Sequence, residues 1–156
     1  MMKGLDLPIL PKPQRVSPHA GSVSRSALRS VSVGPPAPAS LRKHLRDFAQ
    51  RNGLTLGNRG GSSIIVEIGE GGCPSHPEGY SLRIGETIAL KSLTATGAYY
   101  GLQTLQQLLD AGQTVPRCAI EDWPALALRG FYFDLTRQVP TPEYLRLIID
   151  RLAAAK

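Results

Sequence analysis

Four sets of side chains in this 156-residue chain have types and spacings that could do chemistry. Cys73-Pro-Ser-His76 offers a thiol and an imidazole three residues apart, as a metal-binding pair would. A structural zinc wants four such ligands and no second pair accompanies this one, so no metal is expected. Gly69-Glu-Gly-Gly72 follows an apolar run, as a phosphate-cradling loop would. Pro74 and Pro77 stand where a helix should begin and no Gly-Lys-Ser/Thr is present, so it reads as a turn, with no cofactor. The third set is electrostatic. Residues 1–60 hold ten Lys/Arg against two acids, residues 61–156 eight against ten, and the net charge is +6. Such a basic third suits nucleic acid or acidic surfaces. The arginines at 15, 25, 29, 42, 46, 51 and 59 are dispersed without an aromatic platform, which favours a solvated basic face and no nucleic-acid partner. The fourth set is Asp122, Arg129, Asp134 and Arg137. A guanidinium fork such as that of Arg129 can donate two hydrogen bonds to neighbouring oxygens, or can pair with Asp122 or Asp134 as a brace. Asp134 and Arg137 read as a pair orienting a strand end.

Elements must position these groups, and hydrophobic periodicity supplies them. Over residues 95–109, Ala98, Leu102, Leu105 and Leu109 recur at helical spacing, widened by Tyr100, Gly101 and Leu108. Thr96 can cap this helix and Gly112 is the expected stop. Gly97 and Gly101, four apart, leave one side of its first turn bare, where a strand or loop can approach closely. A second helix starts with Ser40 as cap, buries Leu41, Leu45 and Phe48, and ends at Asn52-Gly53. Its three apolar anchors are few for a membrane-surface helix.

Strands are expected at Leu28–Val33, Leu54–Leu56, Ser63–Ile68, Gly79–Ile84 and Thr87–Ser92, the last two joined as a hairpin at Gly85-Glu86. Residues 1–39 carry seven of the thirteen prolines. Leu7–Gln14 therefore reads as an extended edge or loop, and Val16–Ser30 as weakly patterned. The order is that of an α+β layer, one sheet with two helices on one face. Farther on, Leu126–Leu135 is apolar on both sides, like a strand covered on both faces. Thr141-Pro142-Glu143 then opens a helix with a buried stripe of Leu145, Ile148, Ile149 and Leu152.

Two cysteines make at most one bridge, so the chain is no disulfide scaffold. No apolar run approaches the ~18 residues of a membrane span, and the first residues contain no apolar segment of signal-peptide length. No membrane partner is expected, and the compartment is cytoplasmic if the N-terminus is native.

Thr96-Gly-Ala-Tyr-Tyr-Gly-Leu-Gln-Thr-Leu-Gln-Gln-Leu108 resembles the signature helix that ends the N-terminal domain of beta-N-acetylhexosaminidases, glycoside hydrolase family 20. Lys12-Pro-Gln14, the Tyr80–Ile84 hairpin strand with Ile88-Ala-Leu90, and Ile120-x-Asp-x-Pro…Arg129-Gly-x-x-x-Asp134-x-x-Arg137 match in the same order. The resemblance implies a hexosaminidase N-terminal fold (zincin-like without zinc) over residues 1–119. It implies the first β-α unit of a truncated catalytic (β/α)8 barrel over 120–156. It also implies removal of terminal N-acetylhexosamines by substrate-assisted retaining hydrolysis, an exception to the usual two-carboxylate scheme.

The family's acid/base Glu and adjacent Asp follow a later barrel strand, so no catalytic residue is expected within this chain, which would itself be inactive. Arg129 is the one position that the resemblance puts on the substrate, holding hydroxyls of the terminal sugar. Partners would be an N-acetylhexosamine-containing glycan and the missing barrel segment. Ala125-Leu126 and Thr136-Arg137-Gln138 depart from the family's Arg-Phe and Ser-Arg-His and lean towards its divergent branches. Other readings are a stand-alone scaffold or carbohydrate-associated module, and the equivalent domain of an O-GlcNAcase or alpha-glucuronidase.

Overall fold

The structure, a computed structural model, describes residues 7–34, 37–57, 61, 63–69, 71–136 and 139–156. The elements in order are β1 (Arg15–Ser24), a 3-10 turn (Arg25–Ala27), β2 (Ser30–Val33), α1 (Ala39–Asn52), β3 (Thr55–Leu56), β4 (Ile64–Ile68), β5 (Tyr80–Ile84), β6 (Ile88–Ser92), α2 (Ala95–Asp110), β7 (Thr114–Asp122) and α3 (Pro142–Ala154). The seven strands form one mixed sheet in the order β1-β7-β5-β6-β4-β2-β3. The β1, β7, β5 and β6 neighbours run antiparallel, and the β6, β4, β2 and β3 neighbours parallel.

Register stacks the inward side chains into rows, because alternate residues of a strand share a face. One row runs Val31, Ile64, Ile88, Ile84, Cys118; the next contains Val66, Leu90, Leu82, Ile120. These residues are buried beneath the apolar stripes of α1 (Leu41, Leu45, Phe48) and α2 (Ala98, Leu102, Leu105, Leu109). A third row, Ser92, Tyr80 and Asp122, is polar and equally buried. The expected α+β layer with its two helices on one face is what forms.

Local physics shifts several boundaries. The cap of α2 is Thr94, whose Oγ1 accepts from Gly97 N–H at 3.2 Å and itself donates to the Pro77 carbonyl; Thr96 lies within the first turn. Helix α1 begins at Ala39 behind Pro38, without a side-chain cap, so Ser40 is not the capping residue. Gly53 takes the left-handed conformation, φ 66°, that ends it. The close approach expected at Gly97 and Gly101 is present: a Cβ on Gly97 would overlap the Gly79 carbonyl, and one on Gly101 a Leu90 methyl.

Two strands, β1 and β7, have no counterpart in the sequence reading. β1 is an edge strand, mostly exposed, which tolerates Pro18 there. Its pairing shifts between Pro18 and Ser22, around Gly21 at φ 92°. β7 lies between β1 and β5 and buries Val115, Cys118, Ile120 and Asp122. The Leu7–Gln14 stretch is a loop, as expected, with Ile9 buried and Leu10 N–H and C=O both bonded to the Gln107 side-chain amide.

The expected strand over Leu126–Leu135 does not form. Strand hydrogen bonds need a neighbour, and none of the described segments pairs with these residues. Leu128 and Tyr132 are each 88% exposed. α3 does form, with Thr141 as cap, Pro142 at its first position and Glu143 in its first turn. Its stripe is not buried: Leu145 and Ile148 are half-buried, while Ile149 and Leu152 are exposed. Residues 35, 36 and 58–60 and Arg137 lie outside the described residues.

Cys118 makes a pH prediction. It is fully buried, and burial pushes its thiol up from 9.0 to about 11. The folded state thus holds this proton more tightly than the unfolded chain. Its contribution, about 2 kcal/mol, is complete below pH 9 and lost as the pH rises through about 11. Denaturant unfolding at pH 8.5 and pH 11 should show Cys118→Ala losing about 2 kcal/mol less than the parent across that interval. Equal losses would mean that the thiol is solvated.

Candidate functional site

The buried polar row ends at a small pocket. Its cavity of ≈ 220 Å³ is walled by Tyr80, Tyr100, Trp123, Pro124 and Leu126, with Glu78, Arg129, Asp122 and Lys156 among its polar groups. Strand register creates the first half. Tyr80 on β5 stands opposite Asp122 on β7, and its hydroxyl donates to Asp122 Oδ2 at 2.9 Å while sharing a 2.5 Å hydrogen bond with Thr104 of α2. Gln14 N–H donates to Asp122 Oδ1 at 3.2 Å.

Lys156, immediately after α3, inserts its ammonium into this group, 2.8 Å from Asp122 Oδ2 and 2.9 Å from the Tyr80 hydroxyl. The Lys156 and Asp122 side chains are only 8% and 10% exposed. Burial pulls the ammonium below its ordinary value, and Asp122 pulls it partly back. Burial, followed by the Asp122 charge, raises the Tyr80 phenol. It therefore stays a hydroxyl and a donor.

Arg129 forms the second half. Its Nη1 donates to the Leu126 carbonyl at 2.9 Å, and its Nη2 pairs with the Glu78 carboxylate. The Glu78 hydrogen bond, with a further contribution from Tyr100, raises the guanidinium above its ordinary value. Neither brace partner suggested by the sequence, Asp122 or Asp134, holds it. Asp134 instead accepts from Thr136 N–H at 2.8 Å and Thr136 Oγ1 at 2.6 Å, which lowers its carboxyl. The expected pairing of Asp134 with Arg137 lies outside the described residues.

Glu78, Tyr80, Tyr100, Trp123 and Lys156 drew no functional reading from the sequence. They come from four stretches, the entry to β5, helix α2, the end of β7 and the end of α3, that only the tertiary fold brings together. The one local signal is the alternation that sets Tyr80 in line with Leu82 and Ile84. Chemically, the pocket presents a cation in a fork, aromatic walls and a buried ion pair, which suits a neutral, hydroxyl-bearing ligand. Cys73 and His76 are not brought into a ligand set: among the described residues no three His, Cys, Asp or Glu side chains converge as metal ligands.

The family model described as glycosyl hydrolase family 20, domain 2, matches residues 6–123. A beta-hexosaminidase of Porphyromonas gingivalis is 35% identical over 107 residues, covering 62% of this chain and 14% of that protein. One of Vibrio vulnificus is 30% identical over 152 residues, covering 95% and 17%. Among solved structures, the exo beta-N-acetylglucosaminidase of Vibrio harveyi in complex with N-acetylglucosamine superposes with a TM-score of 0.77 at 25% identity, covering 94% of this chain and 24% of that one. The chain thus spans about a sixth of the length of the curated relatives it matches.

Proposed function

Since this chain belongs to glycosyl hydrolase family 20, we propose that it forms part of an enzyme that removes terminal N-acetylhexosamines from glycans. In this reading residues 1–119 are its α+β domain and 120–156 the entry to its catalytic barrel, although β7 keeps its sheet pairing as far as Asp122. Hydrolysis is substrate-assisted and retaining. The acetamido oxygen of the substrate attacks the anomeric carbon, the leaving oxygen is protonated, and water opens the resulting oxazolinium ion. The carboxylates for those steps belong to barrel segments other than these 156 residues.

Arg129 contributes by holding two adjacent sugar hydroxyls, which orients the ring for attack by its own acetamido group. A guanidinium carries five N–H donors, so the contacts with Glu78 and Leu126 leave others for sugar oxygens. The observation that carries the proposal is the family match over residues 6–123 together with an arginine in an aromatic-walled pocket beside the sheet. The exposed Leu128, Phe131, Tyr132 and Ile149 favour a part of a larger enzyme over a self-sufficient scaffold, because contiguous exposed apolar surface marks an interface.

Hydrolysis of an aryl N-acetyl-β-glucosaminide tests this. The purified 156-residue chain should give no turnover above a buffer blank. The same residues grafted in place of their counterpart in the Vibrio harveyi enzyme should support turnover. A folded but inert chimera, or activity in the chain alone, would overturn the assignment.

A further inference from the structure

A second trough lies on the sheet face away from α1 and α2, with a cavity of ≈ 530 Å³. Register builds its floor. Arg15 on β1 stands directly opposite Glu121 on β7. Trp123, two residues beyond Glu121, continues the same alternation, opposite to that of buried Ile120 and Asp122. The Arg15 guanidinium lies 5.1 Å from the centre of the Trp123 ring and 3.2 Å from Glu121 Oε2. Gln14 Nε2 fixes the other side of the turn by donating to the Trp123 carbonyl at 3.2 Å.

Ser75 and His76 supply the opposite wall. The Glu78 N–H donates to His76 Nδ1 at 3.1 Å, which puts the proton of the neutral ring on Nε2 as a further donor.

We infer that this trough is a non-catalytic binding site for a pyranose ring of a neutral glycan, separate from the Arg129 pocket. An indole offers a flat apolar surface for the C–H face of a sugar. Arg15 and Glu121 offer a donor fork and an acceptor pair for vicinal hydroxyls, and Ser75 adds a hydroxyl. The charges of Arg15 and Glu121 cancel, so the site selects hydroxyls over an anion. Their side chains are 69% and 42% exposed, and an exposed pair of this kind opens at little cost. The ring can therefore slide between guanidinium and indole. The choice of N-acetylglucosamine units as the sugar rests on the proposed function; the chemistry of the trough does not.

Trp123 is the only tryptophan in the sequence, so its fluorescence reads the trough directly. It also borders the Arg129 pocket, so variants must separate the two. The 156-residue chain is titrated with chitotriose and, in parallel, with maltotriose. The expected result is a saturable change with chitotriose, weakened at least tenfold in an Arg15→Ala/Glu121→Ala variant, with a saturable change retained in Arg129→Ala. Should the double variant not fold, amide shifts of Ser75 and His76 in the parent chain, compared with those of Leu126 and Arg129, decide the location. No saturable change with either sugar overturns the inference and leaves the family reading standing. A response lost in Arg129→Ala but kept in the double variant also overturns it, because the sugar then sits in the neighbouring pocket. A response to maltotriose alone upholds the trough as a glycan site and counts against N-acetylhexosamine as the substrate of the enzyme.

Discussion

A Gly97→Ala chain should melt roughly 6–12 °C below the parent, equivalent to a loss of about 3 kcal/mol. The added Cβ would overlap the Gly79 carbonyl oxygen and approach Ser92 Cβ at 3.1 Å. Neither obstacle is the tip of a flexible side chain. Gly79 is held by its N–H to the His76 carbonyl at 2.9 Å and leads directly into β5, so moving it drags on Tyr80. The intrinsic gain of alanine over glycine in a helix, ~1 kcal/mol, is too small to offset this. Gly101→Ala provides the contrast. There the overlap is with the end of the Leu90 side chain, with Tyr80 Cδ2 at 3.1 Å. A side-chain tip yields more readily than backbone, and with the same intrinsic gain the net cost should be about 1–2 kcal/mol. Equal melting temperatures for the two variants would mean that the first turn of α2 is looser on the sheet than described.

Asp122→Ala should be comparably damaging, at about 3–5 kcal/mol, for an electrostatic reason. One carboxylate satisfies the Tyr80 hydroxyl, the Lys156 ammonium and the Gln14 amide. Its removal leaves an ammonium whose side chain is 8% exposed without a counter-charge, and takes one acceptor from the Tyr80 hydroxyl. Lys156 can recover some of the loss by turning outward, at the expense of its seat beside α3. Asp122→Asn keeps the shape and one acceptor and should cost about half as much. Urea unfolding of both variants, with amide exchange over α3, checks this. A stability unchanged within 0.5 kcal/mol would show that the ion pair is solvated.

What the sequence reveals of this fold follows from what is local. α2, β4 and the β5–β6 hairpin were legible because each carries its own period and its own stop signals. The bare flank of Gly97 and Gly101 was legible for the same reason. β1 was hidden, because an edge strand with one wet face and a proline has no clean alternation. β7 was hidden by Pro116, Arg117 and Glu121 among its apolar residues, although its inward set of Val115, Cys118 and Ile120 is fully buried. Leu126–Leu135 is the reverse case: it pairs with none of the described segments and forms no strand here. Its apolar run is compatible with a strand, but a strand exists only with partners, and composition does not supply them.

The pocket divides in the same way. Arg129 was singled out through its resemblance to a motif. Glu78, Tyr100 and Lys156, which surround it and the adjoining ion pair, are brought there by pairing between segments far apart in sequence. No short-range pattern announces them.

In the function proposed above, Arg129 is the sugar-holding arginine of a family 20 glycosidase. The most direct test compares kcat/KM for an aryl N-acetyl-β-glucosaminide between the Vibrio harveyi chimera and its Arg129→Lys form. Lysine keeps the charge and loses the fork, and each lost hydrogen bond to a charged group costs roughly 1.5–3 kcal/mol. A fall of about one to two powers of ten per bond is expected, with little change in melting temperature. A variant that melts much earlier while keeping its turnover per folded molecule would contradict it, making Arg129 a brace for Glu78 and not a hand on the sugar.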